Sequence, residues 1–151
     1  MRNDVVSQYY IIEPEVAGGL GLNSNIDRTT FPPIVEKLHF VFEGWLGDPI
    51  LESFPCFIVT DRLARKMEEA GLTGFHLQPL EVSFSESFHS SETDPKSEEF
   101  RWLVLDTGDI STDLATTNDG RLVASKKALE LMIASGMKNA EISTAHEGPD
   151  E

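Results

Sequence analysis

Residues Phe57 to Leu77, FIVTDRLARKMEEAGLTGFHL, decide how the chain is read. Phe57-Ile58-Val59 is an apolar run of strand length and composition. Thr60 follows, with a hydroxyl able to accept a bond from an unpaired amide of a first helical turn. Leu63, Met67 and Ala70, with Ala64 beside them, fall at helical spacing and make one apolar stripe. Arg62, Arg65, Lys66, Glu68 and Glu69 take the wet side. Gly71 stands where helices end in a left-handed residue, and Leu72 to Leu77 resumes as a second apolar run. The pattern predicts strand, short helix, strand.

Working outward, the pattern recurs over Leu122 to Ile142, LVASKKALELMIASGMKNAEI. A shift of 65 positions lays Thr60 on Ser125, Met67 on Met132, Ala70 on Ser135, Gly71 on Gly136, Leu72 on Met137 and Leu77 on Ile142. Ala128, Leu129, Met132 and Ile133 form the second stripe. Caps and stops are generic, so two short helices can also agree in this way by chance. Around these units, Gln8–Ile12, Ile34–Phe42, Leu80–Phe84 and Phe100–Leu105 read as strands. Ala17–Asn25, with its three glycines, reads as a loop, as do the polar stretches Phe88–Ser97 and Asp106–Asn118. The expected fold class is α+β, a mixed or mostly antiparallel sheet with two short helices packed on it. It is expected as a single domain over residues 1–143, followed by a disordered acidic tail at 144–151.

Composition narrows the function classes. At 40% apolar residues with nine phenylalanines, the 151-residue chain can build a real core. A single cysteine, Cys56, excludes an internal disulfide framework and a multi-cysteine zinc site, and fits a reducing, cytoplasmic compartment. The start, MRNDVVSQYYIIEPE, is read as carrying no signal peptide, and Pro, Gly or a charge interrupts every apolar run before it reaches membrane length. Twenty-six Asp and Glu against twelve Lys and Arg leave −14, which argues against direct contact with nucleic acid or anionic lipid and suits a basic protein partner.

Motifs of known chemistry are sparse. Gly18-Gly19-Leu20-Gly21 is followed by no helix pattern, so it does not read as a phosphate cradle. Asp106-Thr107-Gly108 occurs once and late, where an aspartic protease needs two such aspartates sharing a proton, and reads as a strand-ending turn. Cys56 begins a buried strand and reads as core. The four histidines are scattered, and no carboxylate loop has a metal-binding spacing, so no catalytic residue, metal or cofactor is expected. What stands out is charge. From Glu86 to Asp119, nine acids face only Lys96 and Arg101, a net −7. The candidate partner-binding residues are Glu92, Asp94, Glu98, Glu99, Asp106, Asp109 and Asp113, with Trp45 as an aromatic anchor and Asp48 beside it in a Gly-bounded turn.

Together, YYIIEPEVAGGLG, LHFVFEGWLGD, FPCFIVTDRLARKMEEAGLTGF and GRLVASKKALELMIASGMKNAEI resemble immunity proteins of bacterial polymorphic toxin systems, families first catalogued as domains of unknown function. The resemblance runs from about Tyr9 to Ile142 and rests on apolar patterns with a few Gly, Pro and Trp positions. It implies a cytoplasmic α+β protein that binds and neutralises a cognate toxin without catalysis. It carries over no binding residue. A small hydrolase with a carboxylate-based site and an adaptor or assembly subunit are the alternative expectations.

Overall fold

The structure, a computed structural model, describes residues 8–89, 94–106 and 111–145. These form an α+β fold: two α-helices and thirteen strands, arranged in several mostly antiparallel sheets rather than the one sheet expected. The first unit is β7 (Cys56–Thr60), α1 (Asp61–Glu69) and β8 (Phe75–Gln78). The second is β12 (Leu122–Ser125), α2 (Lys126–Ala134) and β13 (Glu141–Thr144). Both helices start as predicted. Thr60 Oγ1 accepts the Leu63 amide and Ser125 Oγ the Ala128 amide, each at 3.1 Å. Both end alike: Gly71 (φ +72°) and Gly136 (φ +112°) take the left-handed turn, and the amides of Leu72 and Met137 reach back to the carbonyls of Met67 and Met132.

The likeness extends to strands that sequence spacing does not connect. In the first unit β7 and β8 are not neighbours; β10 (Phe100–Leu105) lies between them, antiparallel to both. In the second unit the same place between β12 and β13 is filled by β1 (Tyr9–Glu13), from the other end of the chain. Even the register agrees: Phe100 faces Thr60 as Tyr9 faces Ser125, and Leu103 faces Leu77 as Ile12 faces Ile142. A hairpin strand then flanks each unit, β6 (Ile50–Ser53) on β7 and β11 (Leu114–Thr116) on β12. The two sheets are therefore β6-β7-β10-β8 and β11-β12-β1-β13.

α1 packs on α2, and both helices and both sheets contribute to one shared core. Its sixteen buried residues, among those described, fall into eight equivalent pairs. These are Ile12 with Leu103, Ile50 with Leu114, Phe57 with Leu122, Val59 with Ala124, Leu63 with Ala128, Ala64 with Leu129, Met67 with Met132, and Leu72 with Met137. The repeat is thus a property of the whole core.

The halves differ in what covers their outer faces. The outer face of β7 and β10 is buried under β2 (Gly18–Leu20), β5 (His39–Gly44) and β9 (Glu81–His89), with β5 and β9 running parallel. Phe40, Phe42, Trp45, Phe100 and Trp102 fill that interface, so all five residues of β7 are buried. β3 (Asn25–Asp27) and β4 (Ile34–Lys37) form a separate two-stranded sheet. The Gly-rich loop expected at 17–25 thus contains a strand. A Cβ at Gly18 would stand 1.9 Å from the Val41 carbonyl oxygen and one at Gly21 2.2 Å from the His39 ring, so these glycines let backbone approach β5. Residues 144 and 145, expected in the tail, belong to the sheet: Thr144 pairs with Tyr10 and the Ala145 amide bonds the Tyr9 carbonyl, while residues 146–151 lie outside the described ones.

Candidate functional site

The expected partner face divides once its residues are placed. Trp45 is a correction. It is 7% exposed; its indole nitrogen donates to the Asp48 carbonyl at 3.0 Å, and its ring packs edge-on against Phe42 and Phe100. It is a core aromatic with its polar handle satisfied, not a free anchor. Asp48 is a second correction, because its side chain has no exposure at all. Its carboxylate accepts the Lys138 and Asn139 amides and the Asn139 side-chain amide, at 2.8–3.2 Å.

Asp113 repeats that arrangement, and its position in sequence is the 65-residue shift of Asp48. It accepts the amide and hydroxyl of Thr73, together with the Ser125 hydroxyl. Thr73 is itself the equivalent of Lys138. Each half therefore supplies an aspartate, just ahead of its hairpin strand, that holds the helix-to-strand link of the other half. Both aspartates were expected at a partner face; in the fold they are reciprocal clamps. The buried one, Asp48, depends wholly on its donors, since an unpaired buried charge is costly.

The remaining candidates lie nearer the surface, several with partners of their own. Glu98 receives the Arg62 guanidinium at 2.7 Å. Asp106 pairs with His76. Asp94 caps the short turn Pro95–Ser97 by accepting the Lys96 amide. Glu99 is exposed, and its carbonyl takes the Asp61 amide. Glu92 and Asp109 lie outside the described residues. The acidic stretch is thus in part spent on internal bonds.

Groups able to do chemistry are few. His39 Nε2 lies 2.6 Å from Ser83 Oγ, which suggests a nucleophile and its base. But His39 Nδ1 accepts the Asn23 amide. In the neutral ring the proton then sits on Nε2 and is donated to Ser83, the wrong direction for activating a hydroxyl. The Cys56 thiol is buried, and burial pushes it up to about 12, so it stays protonated. Among the described residues no three of His, Cys, Asp and Glu converge as metal ligands.

The acids that sequence reasoning passed over are Glu13, Glu15, Glu43, Glu52 and Glu141. Glu13 faces Glu141 directly across β1 and β13. Glu52 has its carboxyl raised, first by burial and then by the Glu13 charge. Glu15 is buried; burial raises it, and the Leu46 and Asp48 amides that it accepts pull it partly back. These residues come from separate segments. The one local signal is the Glu-Pro-Glu-Val run at 13–16, directly after the predicted strand Gln8–Ile12.

Among the described residues no helix is long and apolar enough to cross a membrane. No protein-family model matches the chain, and no curated protein matches it.

Proposed function

We propose that the chain is a non-catalytic immunity protein, working in the bacterial cytoplasm, that binds a cognate toxin enzyme and neutralises it by occupying or flanking its active site. The observation that carries this reading is the excess of acid displayed on a scaffold whose buried acids, Asp48 and Glu15, are held by backbone amides. The net charge is −14, and exposed carboxylates such as Glu13, Glu43, Glu99 and Glu141 stand on strands or strand ends. Such a surface attracts a basic partner, raises its rate of encounter and repels nucleic acid and anionic lipid. The resemblance to immunity families points the same way. Reciprocal clamps and one shared core tie the two halves together, which suits binding without rearrangement.

The test is co-expression with the product of the adjacent gene. The reading expects growth rescue of cells producing that protein, and a purified complex in which its enzyme activity is suppressed. Association is expected to slow steeply as salt rises, since exposed charges are screened beyond about 8 Å at physiological ionic strength. Absence of rescue and of a complex would overturn the reading. Turnover by the isolated chain of ester, phosphoester or peptide substrates would favour the hydrolase instead.

A further inference from the structure

Val16 and Leu46 are 71% and 65% exposed. Val16 lies in the link after β1, Leu46 in the turn after β5, and the two border the same pair of grooves, of about 380 and 350 Å³. Isolated exposed apolar residues are ordinary; two on adjoining segments beside a concave surface are not. Nor are they on loose chain. The Leu46 amide donates to Glu15 Oε2 at 2.6 Å, the Glu43 and Gly44 amides to the Ala17 carbonyl, and the Glu52 amide to the Glu15 carbonyl. The ridge is held in place before anything binds, which lowers the ordering cost of binding.

The rim is acidic. Glu43 borders one groove, and Glu13, Glu52 and Glu141 the other; no Lys, Arg or His is among the described residues lining either. Like charges directly opposite across strands are destabilising, and Glu13 faces Glu141 in that way. The Glu52 carboxyl beside them is raised first by burial and then by the Glu13 charge. At the equivalent place in the other half Val104 faces His76, so the scaffold does not require an acidic pair. Cations brought by a partner would relieve this repulsion, whereas a phosphate backbone or anionic lipid surface would add to it.

We propose that these grooves dock a basic segment of a partner protein, which seats an apolar side chain beside Val16 and Leu46 and sets Lys or Arg side chains against Glu13, Glu43, Glu52 and Glu141. The proposal rests on the inhibitor reading only for the partner's identity; the chemistry of the surface stands apart from it. The exposed Phe31 and Phe54 differ from this ridge, because their two rings pack on each other.

The probe is a short peptide alternating Leu and Lys, titrated into the isotope-labelled full chain and followed by amide chemical shifts, with a Leu-Ser peptide as control. Saturable shifts centred on Ala17, Glu43, Leu46, Glu52 and Glu141 are expected with the Leu-Lys peptide alone. The V16S/L46S double variant and, separately, E13Q/E141Q should each weaken binding about tenfold, as loss of an anchor or of a charge pair does. D94K/E99K, on the acidic stretch, should leave it within about twofold. All six positions are exposed, and an unchanged shift pattern in each free variant confirms its fold. Shifts centred on residues 94–106, shifts that scatter over all acids without saturating, or full binding by V16S/L46S would each overturn the proposal. Growth rescue without peptide binding would leave the inhibitor and remove this groove. Peptide binding without rescue would leave the groove and remove the toxin.

Discussion

The two halves of the molecule share a core and differ at the surface. In both, a strand, a capped helix and a second strand enclose an antiparallel strand, and the buried positions match pair by pair. In the first half the inserted strand β10 follows in sequence and carries Phe100 and Trp102 outward into the aromatic layer under β5 and β9. In the second it is β1, from the N-terminal side, and its outward cluster is the smaller set of Tyr9, Ala115 and Val123. Where β10 has Val104 against His76, β1 has Glu13 against Glu141. The lesson is that caps, stripe and register bear the architecture, leaving the outer positions free to differ.

Three measurements would break or sharpen this comparison. The largest effects belong to the shared core. Met67→Ala and Met132→Ala each truncate a side chain with no exposure and should each cost about 2–5 kcal/mol. Urea denaturation should show one transition for both. Two separated transitions, or one variant unaffected, would mean that the halves are not one cooperative body.

The clamps come next. Asp48→Ala strands the Lys138 and Asn139 amides in a buried place and should cost about 3 kcal/mol; Asp113→Ala, at a more open site, about 1 kcal/mol. Shifts in the urea midpoint at constant slope check this. Equal losses would contradict the asymmetry in burial, and no loss from either would remove the clamps.

The caps are comparable to the Asp113 clamp. Thr60→Ala should cost about 1 kcal/mol, and Ser125→Ala somewhat more, because Ser125 also donates to Asp113. Calorimetric melting would resolve the order. A Ser125 variant less affected than Thr60 would show that the Ser125–Asp113 bond adds nothing.

Much of this was legible at the level of elements. Thr60, Ser125, Gly71 and Gly136 act locally, through bonds spanning three to five residues, so their spacing announced both helices. The α+β class and strand β10 followed from periodicity alone. β2 reads as loop because its glycines suggest freedom, whereas Gly18 serves the close approach of β5. The site was less legible. Trp45 sits between glycines at 44 and 47, which reads as a surface turn, yet Phe42 and Phe100 cover it.

What the chain determined by itself is therefore what neighbours along it can decide: where helices start and stop, which stripe they bury, and that a strand–helix–strand pattern occurs twice. Tertiary structure alone decided that β1 completes the second copy, by setting Tyr9 against Ser125, and that Asp48 is a buried clamp, by bringing Asn139 to it. It also brought Glu13, Glu43, Glu52 and Glu141 around Val16 and Leu46. The physical reason is range. Helix caps and stripes are fixed by contacts a few residues apart, whereas the burial and charge environment of a carboxylate depends on segments that meet only when the sheets close around the core.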